Sequence, residues 1–559
     1  MKLHALVVFW LLLLRCCLVP TNAALATEPS LYAPEDNVKI LNNDTLEMEL
    51  YSSNNCKLVQ FINYFCGDCR RFAATFKQLA WKLYGWRTVL SIFVVDCAQE
   101  RNVQICRDFD IQKTPTLRIF PPDFQRTEKQ VGFDLDTLVP DAIFAKLAEY
   151  ISKVKYTMLG QPDFKPVKAT DIIQPLLQKL GCFNSSAINF TVLVYQPEGS
   201  TIGRDTILGL LIWPMVNVRI LSDRRLFRYF VLSPTNSTLA LMDCVGNAKA
   251  LQPLNDTSAS YVACVGNYIH SLGYALPLLP TNPAPNITNY LIDEEQAAIL
   301  STVLQGRSKV YRADLEQAID QLIHIELPKV RIFKGDNMMA LRQFLNVLCL
   351  FSPLNVSGKL LLQRLYEFVN GSTSGELTGM AFQAQVQLLE GMQPKVFKAR
   401  RYVGCIASGP FLRGFTCSLW TLFHYFTVQA SKSLILPAGF VLGTVHGFVK
   451  HFFGCRDCVQ HFMGMSERRK IFSVASRDEE ILWLWEAHNE VNQRLEGDIT
   501  EDPKFPKVQF PTLSVCGNCQ INSLHNTTWQ RPQVLSFLKE LYDGRNLSNY
   551  GLPTTNGYN

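Results

Sequence analysis

The spacing of its cysteines constrains this chain more than any other feature. Three pairs have the form Cys-x-x-Cys: Cys66/Cys69, Cys455/Cys458 and Cys516/Cys519. At that spacing two sulfurs close a local disulfide, exchange electrons with a third sulfur, or share a metal ion. Which of these applies depends on the compartment and on the secondary structure around each pair.

The compartment reads as oxidising. Lys2 and His4 precede an apolar run over residues 5–14, too short to span a bilayer, and small residues follow at Ala23, Ala24 and Ala26. Residues 1–26 are therefore expected to be a secretory signal peptide. A buried N-terminal helix or a membrane anchor is the competing reading, and Arg15 disfavours the anchor. Ten Asn-x-Ser/Thr sequons fit a surface open to N-glycosylation: Asn43, Asn184, Asn189, Asn236, Asn255, Asn286, Asn355, Asn370, Asn526 and Asn546. Removing Cys16 and Cys17 with the leader leaves fifteen of 17 cysteines, and most should be paired. No transmembrane anchor is expected: the best later candidate, 434–449, is broken by Pro437, Gly439, Gly443 and Gly447. A net charge of +6 with no basic run excludes nothing but gives no reason to expect a nucleic-acid partner.

Around the first pair, residues 57–64 are strand-like and Cys66 follows at once. Phe72, Phe76, Leu79, Leu83 and Tyr84 then recur at helical spacing, 89–96 is a second strand, and Thr114-Pro115-Thr116 leads a third over 117–120. Strand, Cys-x-x-Cys at a helix start, helix, strand and a Pro-led strand is the thioredoxin plan. A cysteine at a helix N-terminus meets exposed N–H groups and the positive end of the helix dipole, which favour the attacking thiolate. Pro115, if cis, would set its loop beside the pair. A zinc knuckle and a plain structural disulfide are the alternatives.

Residues 30–160 are thus expected to be a redox-active thioredoxin domain. Residues 165–275 have no Cys-x-x-Cys but contain apolar, β-branched stretches at 190–196, 207–212 and 215–221, which fits a second thioredoxin-like domain without a redox pair. Pro277, Pro280, Pro283 and Pro285 mark 276–290 as a linker. Beyond it the style turns helical: Leu315, Ala318, Ile319, Leu322 and Ile323 share one face, as do Leu341, Phe344, Leu345 and Leu348.

The second pair sits in Gly454-Cys455-Arg456-Asp457-Cys458, with His461 one turn beyond Asp457. Trp485, His488, Asn489 and Asn492 form one helical stripe, flanked by apolar 481–484. Such a helix is buried, and its polar groups need partners; an aromatic ring system with polar edges is a suitable one. Arg413, Trp420 and His424 add a third group, the last two again one turn apart. A zinc site built from Cys455/Cys458 and Cys516/Cys519 is the competing reading. The 57 intervening residues are too many for a usual zinc ribbon, and no metal is expected.

These motifs carry a resemblance. Residues 414–424 (Gly-Phe-Thr-Cys-Ser-Leu-Trp-Thr-Leu-Phe-His), 453–458 (Phe-Gly-Cys-Arg-Asp-Cys), Trp483-Leu484-Trp485 with His488-Asn489-Glu490-Val491-Asn492, and Phe505-Pro506-Lys507-Val508 resemble the quiescin sulfhydryl oxidase family. Asp96-Cys97-Ala98 and Cys106-Arg107-Asp108-Phe109 are similar to its first thioredoxin domain. The likeness runs from about residue 31 to 543, most loosely over 165–275.

The resemblance implies a multidomain chain: two α/β thioredoxin-like domains, then an all-α region. That region would hold a degenerate helical Erv-like domain over 291–395 and an Erv-type four-helix flavin-binding bundle over 396–545, before a polar tail, 546–559. It implies FAD as cofactor, reduced protein thiols and molecular oxygen as reactants, and a place in the secretory pathway (endoplasmic reticulum, Golgi or outside the cell). Electrons would pass from a substrate dithiol to Cys66–Cys69, to Cys455–Cys458, to FAD and to O2, giving H2O2. By the same likeness Arg413, Trp420, His424, Asp457, His461, Trp485, His488, Asn489, Val491, Asn492, Lys507 and Phe510 would line the FAD site. Cys97 would pair with Cys106, Cys182 with Cys244, Cys405 with Cys417 and Cys516 with Cys519, leaving Cys56, Cys264 and Cys349 unassigned.

Three positions depart from the family pattern. Asp68 stands where His is usual, Phe65 where Trp precedes the first cysteine, and Phe510 where Trp is expected near the flavin. Asp68 opposes thiolate formation at Cys66, so the first pair is expected to be a weaker oxidant. The alternative function is a disulfide isomerase-like or non-catalytic thiol-binding protein that has lost flavin. The sequence is silent on oligomeric state.

Overall fold

The computed structural model describes residues 30–51, 54–127, 130–154, 162–167, 188–230, 237–281, 292–372, 375–433, 435–523 and 526–553. The expected signal peptide, Cys182 and the sequons at Asn184, Asn236 and Asn286 lie outside these residues.

The first domain is a five-stranded mixed sheet in the order β1-β3-β2-β4-β5. Its strands are β1 (Lys39–Ile40), β2 (Cys56–Ile62), β3 (Leu90–Asp96), β4 (Thr116–Phe120) and β5 (Phe133–Asp134). All seven residues of β2 are buried, which suits a central strand covered on both faces. It pairs parallel with β3 and antiparallel with β4. Helix α1 (Gly67–Lys82) starts on Cys66, whose backbone is extended, and buries Phe72, Phe76 and Leu79. Helices α2 (Val103–Asp108) and α3 (Pro140–Lys153) complete the layer structure. A disulfide joins Cys97, after β3, to Cys106 on α2.

The second sheet has the order β7-β6-β8-β9, with β6 (Phe190–Tyr195) parallel to β7 (Val216–Leu221) and antiparallel to β8 (Leu239–Asp243). β9 (Ala248–Leu251) closes its edge. The apolar stretch at 207–212 is not a strand. Ile207 and Leu210 lie on α4 (Ile202–Leu210) and pack with Val265 and Ile269 of α5 (Ser258–Ser271) in one core. β-branching at 206–207 is overridden there by tertiary burial. Cys244 is disulfide-bonded, and its expected partner Cys182 falls outside the described residues.

From residue 292 the chain is helical: α6 (Glu294–Gln305), α7 (Arg312–Gln321), α8 (Gly335–Phe351), α9 (Val356–Asn370), α10 (Gly379–Gly391), α11 (Gly414–Ser431), α12 (Phe440–Phe452), α13 (Arg456–Arg468), α14 (Arg477–Leu495) and α15 (Arg531–Leu541). Both expected apolar faces are buried, on α7 with the turn after it and on α8. Helix α11 packs on α7, α12 and α14, and α8 packs on α12, so the two helical segments share one core. Disulfides Cys405–Cys417 and Cys516–Cys519 staple this half. No helix among the described residues is long and apolar enough to cross a membrane.

The described part of the polar tail is held in place: Ser548 exchanges backbone hydrogen bonds with Val310 and Arg312, and Tyr550 packs edge-on against Tyr311. Of the sequon asparagines, Asn355 is drawn into the fold. It is 9% exposed, its carbonyl caps α9 through the Gly358 N–H, and its amide donates to Val396 O.

Candidate redox and flavin site

The two functional Cys-x-x-Cys pairs are built alike. Cys66 is the N-cap of α1 and Cys455 the N-cap of α13, both with extended backbone, so each pair spans the first helical turn. Cys66 and Cys455 then sit at the cap, where free N–H groups and the helix dipole stabilise a thiolate.

The fold sets the two helix starts against each other. Cys66 Sγ lies 2.9 Å from Cys455 Sγ, although 389 residues separate them. Cys455 and Cys458 are joined by a disulfide, whereas Cys66 and Cys69 are thiols. The loop before Pro115, whose peptide bond is cis, holds the contact. Thr114 N–H donates to Gly454 O at 2.7 Å, the Thr114 hydroxyl donates to the same oxygen at 2.9 Å, and Arg456 N–H donates to Thr114 O at 3.1 Å. Gly454 is required by close approach: a Cβ there would lie 2.4 Å from Asn63 Nδ2. Around this seam Phe65 packs on Phe415 and Phe453, with ring centroids 5.0 and 5.7 Å away. The phenyl ring that replaces the expected Trp is thus the centre of an apolar contact.

The electrostatics separate the two thiols of the first pair. Burial pushes Cys66 up, but the Cys69 thiol and the Cys69 N–H both donate to its sulfur, and the balance falls below the ordinary cysteine value despite the charge of Asp68. Cys69 is raised well above that value, by burial first and then by its bond to Cys66. This asymmetry favours the thiolate at Cys66 over that at Cys69.

Cys458 faces the other way, onto a cavity of about 630 Å³. All twelve residues expected to line a flavin site lie on the wall of this one cavity. Trp420 stacks on His488 with centroids 4.3 Å apart and planes 10° apart, and His424 stacks on Tyr542 at 5.1 Å. The two imidazoles share a hydrogen bond of 3.1 Å. Burial pushes His424 down to about 3 and His488 well down as well, so both rings are neutral. Arg413 and Lys507 are two largely desolvated cations in the same wall; burial lowers both, Arg413 to about 10. Arg413 holds Gly404 O, lies over the Phe505 ring at 3.8 Å and leaves its Nε without a partner. Its φ of 49° is a left-handed conformation that an arginine adopts only under constraint.

The polar stripe on α14 lies on the cavity wall and also binds the neighbouring backbone. Asn489 exchanges hydrogen bonds with Phe510 N and O at 2.8 Å each, Trp485 Nε1 donates to Phe510 O at 2.5 Å, and Asn492 donates to Val508 O at 3.0 Å. The partner of these buried groups is the 508–510 backbone, which they pin against the cavity. Asp457 is also engaged, by His461, Arg71 and Arg494. Tyr542, Leu538 and Leu541 of the α15 region line the cavity too. Their i, i+3, i+4 spacing was a signal in the sequence, but an ordinary amphipathic one.

The wall fits FAD. Two desolvated cations, one with an unpartnered N–H, suit a diphosphate, and the stacked neutral rings suit planar heterocycles. Among the described residues no cluster of His, Cys, Asp and Glu is arranged to hold a metal ion.

Comparison with known proteins agrees with this geometry. Residues 417–511 match the Erv1 / Alr family, residues 306–408 the flavin adenine dinucleotide (FAD)-dependent sulfhydryl oxidase family and residues 37–141 thioredoxin. Sulfhydryl oxidase 1 of Gallus gallus is 32% identical, over 93% of this chain and 69% of its own length. Sulfhydryl oxidase 1 of Homo sapiens is 31% identical, over 94% and 69%, and Sulfhydryl oxidase 2 of Homo sapiens 30%, over 92% and 73%. The chain belongs to the sulfhydryl oxidase family: it is an FAD-dependent thiol oxidase that introduces disulfide bonds and reduces oxygen to hydrogen peroxide.

Proposed function

We propose that electrons enter at Cys66–Cys69 and leave through Cys455–Cys458, with protein dithiols of the secretory pathway as substrate. The 2.9 Å approach of Cys66 to Cys455 carries this reading, because Cys458 lines the cavity while Cys455 does not. A substrate dithiol reduces the first pair by exchange. The Cys66 thiolate then attacks Cys455 Sγ; the Cys66–Cys455 bond forms, the Cys455–Cys458 bond breaks, and Cys458 departs as a thiolate at the start of α13. Cys69, once deprotonated, attacks Cys66 and releases Cys455. Two electrons have then moved to the second pair and the first is a disulfide again.

Arg413 and Lys507 would hold the diphosphate of FAD, and Trp420, His424, His488 and Tyr542 its ring systems. When bound, FAD accepts the electron pair and delivers it to O2. The neutral imidazoles keep the wall free of extra charge, and the 508–510 backbone, pinned by Asn489 and Trp485, closes one side. Exposed Asn43, Asn255, Asn370 and Asn546 are the proposed glycan acceptors. The test is trapping. With Cys69→Ser and Cys458→Ser combined, a Cys66–Cys455 disulfide should accumulate and appear as one cross-linked peptide by mass spectrometry. Its absence under oxidising conditions overturns the path.

A further inference from the structure

Arg71 forms ion pairs with three carboxylates at the seam between the two redox pairs. Its Nη2 lies 2.9 Å from Asp68 on its own helix and 2.9 Å from Asp457, which stands between the cysteines of the second pair. Its Nη1 lies 3.1 Å from Asp498, in the loop after α14. Side-chain exposures of 20–32% leave the four groups half-buried. Arg70 extends the contact, donating to Thr500 O at 3.1 Å and Ile499 O at 3.4 Å in the same loop. The chemistry of the seam calls for such a cation. Two helix N-termini meet here, each with an aspartate at the second helical position. Those aspartates suit their own helix dipoles but repel each other when the helices meet. Asp457 and Asp498 belong to the helical half, across the seam from Arg71, whereas Asp68 lies one turn before Arg71 on its own helix.

We infer that Arg71 is a positioning residue for transfer between the two pairs, a clamp that Asp68 aims and that closes on Asp457 and Asp498 only in the docked state. The inference rests on the relay proposed above. It gives Asp68 a use: in place of a neutral side chain, its carboxylate orients the guanidinium across the seam. Arg71 stands at the edge of the cavity wall, beside Asp457, and its three ion pairs run across the seam, so its main effect is on how often the two pairs meet.

The experiment uses the full-length FAD-loaded protein and two substrates, a reduced unfolded protein and dithiothreitol, with visible spectrum and melting temperature recorded for every variant. Arg71→Ala should lower turnover of the protein substrate about tenfold, the change that 1.4 kcal/mol makes in an equilibrium. Dithiothreitol turnover and the spectrum should change much less than protein turnover, and in Asp498→Asn, whose carboxylate is off the cavity wall, they should stay near wild type. Asp498→Asn should produce a smaller loss of the same kind, and the double variant should lose less than the two singles multiplied together, the sign of a shared contact. Arg71→Gln repeats the test with less change in packing if the alanine variant is unstable. Equal effects on both substrates, no effect on either, or strict additivity with Asp498→Asn overturns the clamp. Cys66→Ser is the control: if it spares the protein substrate, the relay itself is wrong, an outcome distinct from failure of the clamp alone.

Discussion

The two redox pairs share a scaffold and differ in what faces them. Cys66-Gly67-Asp68-Cys69 and Cys455-Arg456-Asp457-Cys458 both start a helix, both have aspartate before the second cysteine, and both place the first sulfur at the seam. Behind Cys69 lies the packed interior of a thioredoxin sheet; behind Cys458 lies a cavity walled by stacked rings and two desolvated cations. A helix-capping disulfide is therefore only a connector. The wall behind its second sulfur decides whether the electron pair goes to another sulfur or leaves sulfur chemistry altogether.

The largest effect should come from breaking the link between the second pair and the cavity. Cys458→Ser removes the only active-pair sulfur on the cavity wall. Thiol-dependent oxygen consumption should vanish for every substrate, while the protein remains yellow. Breaking the first pair instead should be selective. Cys66→Ser should leave dithiothreitol oxidation within about twofold of wild type and slow oxidation of a protein dithiol by at least a hundredfold, a difference of roughly 2.7 kcal/mol in the barrier. Oxygen-electrode assays with both substrates measure this, and equal losses would remove the distinction between the pairs.

Gly454→Ala probes the seam without touching a sulfur. The new methyl would lie 2.4 Å from Asn63 Nδ2, so Asn63 or the 453–455 backbone must move. Overpacking of this kind costs about 1–3 kcal/mol. Transfer from the first pair to the second should slow accordingly, by about five- to a hundredfold, visible in stopped-flow bleaching of the flavin after mixing with a reduced protein. Bleaching by dithiothreitol should be less affected. Unchanged bleaching by the protein substrate would mean that the Thr114–Gly454 contact does not govern docking.

The sequence showed the parts of this arrangement and not their meeting. Both helix starts were legible because strand, cysteine pair and helix follow one another within a few residues. The cavity wall was legible because its motifs are long and of unusual composition, and because Trp420/His424 and Trp485/His488/Asn489 fall on single helical faces. The seam was not. Cys66 and Cys455 are 389 residues apart, and Arg70-Arg71 reads in isolation as a solvated helix face. Buried polarity on α14 signalled a need for partners, and the 508–510 backbone, which the sequence did not point to, supplies one, since an amide side chain pairs readily with peptide groups. At 207–212 an apolar, β-branched composition left the element open, and core packing makes 207–210 the end of a helix.

The smallest expected effect concerns Asp68, and it sharpens the comparison most. Its charge raises Cys66, so replacing it with the family's usual histidine should populate the thiolate, stabilise the dithiol and make the first pair a stronger oxidant. The size is limited by Arg71: the carboxylate is 27% exposed and its charge is met at 2.9 Å by a guanidinium. The potential should therefore rise by less than about 30 mV, the shift equivalent to roughly 1.4 kcal/mol for this two-electron couple. The same substitution removes the group that aims Arg71, so onward transfer should slow even as substrate oxidation becomes more favourable. Measuring the potential in full-length protein carrying Cys455→Ser and Cys458→Ser, in glutathione buffers, isolates the first pair. Flavin bleaching with the second pair intact reports the transfer. Asp457, the counterpart in the second pair, is met by Arg494 and by the His461 ring as well as by Arg71, so the asymmetry predicted for Asp68→His arises from the single arginine that both aspartates share. A potential that falls would show that Asp68 acts on Cys66 by something other than its charge. A rise without slower transfer would show that Arg71 reaches Asp457 unaided.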